Sequence, residues 1–219
     1  MPWNHKFMNK FIKKLNLNVD QFQELFFYSN KIQKFAYQLY PEIENAATWA
    51  ICKNYYNYAL IYNGGNLCTY PISNLTWENL SYHIPDINNF IDRWNFIPAY
   101  GTRTTNVNVH RHIQPISSGW TLTMFLENTK NGTIKFHKPE SNHIYHDKDF
   151  EFCKDEKSKI IESETVLVEN SVYSIYSKQW HSWELDDGVE RCRYSLFQFD
   201  NSASIGSINM HLKELKLDA

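Results

Sequence analysis

Two histidines stand two residues apart in Val107-Asn108-Val109-His110-Arg111-His112-Ile113-Gln114, a stretch that alternates polar and apolar side chains. Such alternation predicts a β-strand, in which successive side chains point to opposite faces. Asn108, His110 and His112 then share one face, and Val107, Val109 and Arg111 the other. Two imidazoles converging on one small volume are either the beginning of a metal site or polar residues at a strand end. A third histidine, His181, follows the apolar run Ser171 to Tyr176 and a short polar turn, with Trp180 and Trp183 on either side. Twelve residues later comes Arg193-Tyr194-Ser195-Leu196-Phe197-Gln198-Phe199, a strand expected to show Arg193, Ser195, Phe197 and Phe199 on one face. An arginine and a serine two apart can grip a carboxylate together, the guanidinium in bidentate fashion and the hydroxyl by a further hydrogen bond. Arg191, ten residues past His181, competes for the same role.

Neutral imidazole nitrogens suit iron, copper, nickel or zinc, and three ligands on one side of an ion leave positions open for substrate and dioxygen. Magnesium and calcium prefer carboxylates and carbonyls. The other histidines have plainer readings. His5, His83 and His211 are isolated and are expected to be structural or surface residues. His137, His143 and His146 form a looser H-x5-H-x2-H cluster in a Lys- and Asp-rich stretch, with no cysteine nearby to complete a zinc site.

These side chains need a scaffold, and the chain is long enough to supply one. It has 219 residues, 42% hydrophobic and 16% aromatic, sufficient for a full core in one large domain. A formal charge of -2 with both signs scattered gives no basic stripe for phosphate contacts, so nucleic acid is not an expected partner. Cys52, Cys68, Cys153 and Cys192 form no C-x-x-C pair and read as thiols in a reducing compartment. No run is long and apolar enough to span a membrane, and the N-terminus is too polar for a signal peptide, so a cytoplasmic location is expected.

The first hundred residues look rich in helix. Phe22, Leu25, Phe26, Ile32, Phe35, Ala36 and Leu39 recur at three-and-four spacing and predict an amphipathic helix ending before Pro41. A shorter helix is predicted over residues 5–16, and another over Pro85 to Phe96, with the proline in its first turn. Asn63-Gly-Gly-Asn66 between two apolar runs predicts a hairpin, while Thr48 to Tyr62 suits either helix or strand. After Tyr100 the chain turns to short β-rich runs without intervening helices, which points to a sandwich or barrel. The stretch from about residue 140 to 163 reads as a polar loop. The expected division is a helix-rich extension over residues 1–100 packing on a β domain over residues 101–219.

The segments Val109 to Pro139 and Ser171 to Phe199 together resemble the Fe(II)- and 2-oxoglutarate-dependent oxygenases. Within them they are most similar to a group of phage and bacterial members with an H-x-H motif, a serine-glycine step into a strand and a W-H…R-x-S ending. The likeness covers residues 106–200. It implies an α+β fold with a double-stranded β-helix core of the jelly-roll or cupin-like kind, and N-terminal helices packed on it. It implies Fe(II) and 2-oxoglutarate as cofactors, His110 as the first ligand, His181 as the distal ligand, and Arg193 with Ser195 as the carboxylate clamp, Arg191 being the rival arginine. One position departs from the family's pattern, because His112 stands where a carboxylate is usual.

Three readings follow. The first is a cytoplasmic oxygenase, bacterial or a phage protein in the host cytoplasm, acting on a substrate the residues do not name. The second is a cupin-like three-histidine dioxygenase, or a zinc enzyme, that works without 2-oxoglutarate. The third is a β-barrel binding or structural protein whose histidines are polar strand residues. Trp120, Tyr173, Trp180 and Trp183 are candidates for pocket walls or for ordinary core.

Overall fold

A computed structural model describes residues 10–46, 48–52, 58–63, 66–103, 107–113, 117–139, 144–147, 150–153, 159–185, 192–200 and 202–214. In chain order the elements are β1 (Ile12–Leu15), α1 (Val19–Leu39), a 3-10 turn (Pro41–Asn45), β2 (Thr48–Cys52), β3 (Tyr58–Asn63) and β4 (Asn66–Pro71). There follow α2 (Trp77–His83), α3 (Ile87–Trp94), β5 (Phe96–Arg103), β6 (Val107–His112), β7 (Ser117–Glu127) and β8 (Thr133–Pro139). The remainder is β9 (Ile144–Asp147), β10 (Phe150–Cys153), β11 (Lys159–Val166), β12 (Ser171–Tyr176), β13 (His181–Glu184), β14 (Arg193–Asp200) and α4 (Ile205–Glu214).

The predicted amphipathic helix is α1. Asn18 caps it by accepting from the Gln21 N–H, and the Gln21 side chain accepts from the Asn18 N–H in return, a reciprocal capping box. Leu25, Tyr28, Ile32, Phe35 and Ala36 form its buried stripe, and the helix stops before Pro41, whose ring disfavours helical backbone at the residue before it. The helix expected from Pro85 is α3. Its N-cap is Asp86, so the proline lies just outside the first turn, and Asn95 ends it in the left-handed region at φ 56°.

The strands form two antiparallel sheets. One has eight strands in the order β1-β12-β7-β14-β5-β2-β3-β4, the other six in the order β11-β8-β13-β6-β10-β9. They face each other across a core in which Phe125, Ile175 and Leu196 of the first meet Ile134, Phe136 and Trp183 of the second. The opposite face of the eight-stranded sheet, with Tyr100, Leu122, Met124 and Phe197, packs against apolar side chains of α1, α2, α3 and α4. The result is a helix-sheet-sheet sandwich compatible with a jelly roll.

Several expectations for the N-terminal hundred residues change. Residues 12–15, expected to be helical, form the edge strand β1 along β12. Strands β2 to β4 also extend the eight-stranded sheet, and β5 runs straight through residue 100. A strand here is completed by a partner far away in sequence, and local periodicity does not report that partner. The Asn63–Asn66 hairpin is present as β3 and β4, and the stretch read as a polar loop carries β9, β10 and the start of β11. No helix among the described residues is long and apolar enough to cross a membrane.

Gly119 in β7 links the scaffold to the histidines. Its φ is +88°, and a Cβ there would lie 2.6 Å from Lys178 Cγ and 3.0 Å from Tyr176 Cε2. Its carbonyl accepts from both the N–H (2.6 Å) and the hydroxyl (2.8 Å) of Ser177, whose own carbonyl accepts from the His112 N–H at 2.9 Å. A Gly119→Ala change is expected to cost at least about 1 kcal/mol, since a side chain is strained in that backbone region. Urea denaturation of the two proteins checks it.

Candidate metal centre

β6 and β13 are hydrogen-bonded neighbours in the six-stranded sheet, and their register places His181 directly opposite His110. His112 lies two residues further along β6 and therefore on the same face. The ring centroids are 4.3 Å apart for His110 and His181, 5.4 Å for His110 and His112, and 5.5 Å for His112 and His181. One nitrogen from each ring lies within 4.8 Å of the others. His110 and His112 are 1% and 5% exposed, and His181 is half-buried. The strand reading of the H-x-H stretch is thus met: both imidazoles point between the sheets, while Val109 packs outward against Cys153 and Trp180.

The surroundings of His181 prepare it as a ligand. Its Nδ1 lies 2.8 Å from the Gln179 carbonyl oxygen. A carbonyl only accepts, so Nδ1 carries the hydrogen and Nε2 keeps a lone pair for a metal, the usual way an outer partner fixes a ligating imidazole. Gln179 is itself anchored, its side-chain amide donating to the His137 carbonyl and to Glu162, each at 2.8 Å. The donor set of three imidazoles suits iron, copper, nickel or zinc. Among the described residues no fourth histidine, cysteine or carboxylate joins the group, so the described donors number three, one fewer than a closed structural zinc site uses.

Beside the rings is a cavity of about 30 Å³, enough for an ion and one or two waters. Thr121, Thr123, Ser177 and Tyr194 bring polar side chains to its wall, with Phe125 and Trp183 among the apolar ones. No Lys, Arg, Asp or Glu is among the described wall residues. Sequence reasoning did not single out the two threonines or Tyr194; the alternation Thr121-Leu122-Thr123-Met124 was the available signal.

Arg193 and Ser195 are not at this site. β14 turns Tyr194 and Leu196 toward the histidines, so Ser195 between them faces the helix layer. Arg193 pairs with Glu127 at 2.7 Å. The Ser195 hydroxyl hydrogen-bonds with Ser29 and Tyr100, each at 2.7 Å, and accepts from the Gln33 amide at 2.9 Å. Burial pushes the Tyr100 phenol up to about 12, so it remains a neutral hydroxyl in this network. The expected carboxylate clamp is thereby corrected: the R-x-S spacing is real, but it lies on the opposite face of the sheet. Arg191 lies outside the described residues.

The remaining candidates sort as follows. Buried His137 shares a hydrogen bond with Ser182 Oγ at 2.7 Å and is outside the metal group. His143 and the His146 side chain lie outside the described residues. His83 rests against the Phe35 ring at 4.5 Å, a structural contact. Trp183 lines the cavity and Tyr173 belongs to the core between the sheets, whereas Trp120 packs on the helix side and Trp180 on the outer face of the six-stranded sheet. Cys153 and Cys192 are buried free thiols, and burial pushes Cys192 up to about 12, which makes it unreactive.

No family model matches the sequence, and no curated protein matches it. Among solved structures, AviO1 from Streptomyces viridochromogenes is 10% identical over 89% of this chain and 91% of its own, with a TM-score of 0.40. YcfD of Escherichia coli is 11% identical over 93% of this chain and 59% of its own, with a TM-score of 0.37. YcfD in complex with cobalt and 2-oxoglutarate, described as a ribosomal oxygenase, is 8% identical over 95% of this chain and 51% of its own, with a TM-score of 0.32. The chain thus spans only about half the length of YcfD. Likeness at this level says nothing of the chemistry, which has to come from the residues themselves.

Two substitutions separate the two faces of β14 and β13. His181→Ala is expected to abolish stoichiometric Co(II) binding in isothermal titration. Ser195→Ala is expected to lose roughly 1–3 kcal/mol of stability, because buried partners are left without their hydrogen bonds, while Co(II) binding stays as in the unmodified protein.

Proposed function

We propose that the chain is a non-haem Fe(II) oxygenase with a double-stranded β-helix core and 2-oxoglutarate as cosubstrate, acting on a substrate still to be identified. The observation that carries this is the cluster of three imidazoles on two paired strands, facing a cavity with no carboxylate on its described wall. The strand order supports the core type: β12, β7, β14 and β5 form one four-stranded layer and β11, β8, β13 and β6 the other, the chain changing layer at each step except between β8 and β11, and the remaining strands extend the edges.

His110, His112 and His181 would hold the ion. Bound Fe(II) supplies dioxygen activation, which 2-oxoglutarate couples to substrate oxidation by its own decarboxylation to succinate. The chain's part is placement and exclusion. The His181 tautomer is fixed by the Gln179 carbonyl, and Phe125, Trp183 and Leu196 keep bulk water from the rings. The hydroxyls of Thr121, Thr123 and Tyr194 are suited to donate to a carboxylate, while that of Ser177 is held by the Gly119 carbonyl. Three neutral ligands leave the ion's full charge without an anionic partner, which favours an anionic cosubstrate. The bulkiest side chains on the cavity wall are Tyr194 and Trp183.

A second reading is favoured by the position of Arg193 and Ser195 on the far face and by the absence of a cation on the described cavity wall. It is a three-histidine dioxygenase that binds its substrate directly and dispenses with 2-oxoglutarate. Anaerobic titration with Fe(II) and then 2-oxoglutarate distinguishes the two. The leading reading expects a charge-transfer absorption that appears only with both, and succinate formation on admitting air. Iron binding without either signal supports the second reading, and failure to bind iron or Co(II) stoichiometrically overturns both.

A further inference from the structure

The residue between the two β6 histidines points to the other side of the sheet, and what it meets there bears on all three ligands. The Arg111 guanidinium is in register with Glu151 on β10 and forms an ion pair with it. Its Cζ lies 5.0 Å from the centroid of the Trp180 ring, within the range of a cation–π contact. Trp180 immediately precedes His181. Its ring is 7% exposed and packs with Val109, the residue before His110, and with Cys153 at the end of β10. The Trp180 carbonyl accepts from the His137 N–H at 2.8 Å, which ties the same point to β8.

Every ligand therefore has a direct chain neighbour in one outer cluster. Val109 and Arg111 flank His110, Arg111 precedes His112, and Trp180 precedes His181. Strand side chains alternate, so fixing these neighbours on one face fixes the direction of the imidazoles on the other. We propose that Arg111 is a positioning residue for the metal centre. It clamps β6, β10 and the turn before β13 through its paired contacts with Glu151 and the Trp180 ring, and so holds the three imidazoles in convergent register. The proposal rests on the metal reading of the triad. It requires the flat, forked guanidinium, because a lysine ammonium offers the charge without the stacking plane.

The experiment uses the full chain and Co(II) alone, with affinity and the visible d–d spectrum as readouts and thermal stability of the metal-free protein alongside. Arg111→Met is expected to weaken Co(II) binding at least tenfold, the scale of an outer-shell contact, and to shift the absorption band. Arg111→Lys is expected to fall between Arg111→Met and the unmodified protein. Lys135→Met removes the Lys135–Glu184 ion pair in the same sheet, outside the cluster of Arg111, Glu151 and Trp180, and is expected to keep the affinity within twofold. If Arg111→Met fails to fold, Arg111→Lys with Trp180→Leu carries the same comparison. Affinity and spectrum unchanged in the Arg111 variants, or an equal loss in Lys135→Met, overturn the role of Arg111. An unmodified protein that takes up no Co(II) overturns the metal centre itself, a separate outcome.

Discussion

The register between β6 and β13 is the constraint on which the candidate site depends. Side-chain direction in a strand has a period of two, so sliding β6 by one residue would turn both of its imidazoles out and bring Val109 and Arg111 in. The observed pairing instead sets His110 opposite His181 and keeps His112 on the same face. Polar rings between two sheets are costly unless they have partners, so this register is stable only where the polar groups are satisfied or meet an ion. Contacts on several sides hold it: β10 beyond β6, the His112 N–H to Ser177, and β8 beyond β13.

The same period of two explains what the sequence disclosed and what it concealed. In β6 the alternation of Val with Asn, His and Arg announced both the strand and the shared face of the histidines. In β14 the burial pattern has no alternation, because six successive residues from Tyr194 to Phe199 are all buried. One face lies against the second sheet and the other against the helices, and a strand covered on both sides reads as apolar throughout. An R-x-S spacing implies a common face only in a regular strand, and does not say which face; here the register shifts between Arg193 and Tyr194. The helix α1 was legible from its stripe and the proline after it, whereas β1 was read as helix and β2 left open between helix and strand, since β12 and β5, which complete them, are distant in sequence.

The eight-stranded sheet consequently separates two kinds of polar burial. On the helix side Ser29, Gln33, Tyr100, Thr102 and Ser195 are linked by hydrogen bonds, with the Thr102 hydroxyl donating onward to the Tyr194 carbonyl, and this network fixes α1 on the sheet. Such a network serves to specify the packing, and Tyr100 held at about 12 takes no part in proton transfer near neutrality. On the inner side the threonine hydroxyls face the cavity and the histidines. Stability and candidate chemistry therefore occupy opposite faces of β14, and a substitution there acts on one or the other according to its parity.

The composition of the inner face also limits what could bind. Three imidazoles contribute no charge, and among the described wall residues there is no carboxylate to balance a divalent ion. In an interior of low dielectric that imbalance is much larger than it would be in water. A metal held here gains most from a ligand that brings its own negative charge and accepts hydrogen bonds from hydroxyls. A small dianion meets both demands, whereas a neutral substrate binding alone meets only the second. This is the physical reason to place an anionic cosubstrate first among the readings even though the arginine expected to hold it lies behind the sheet: the charge that attracts the anion would be the ion's own.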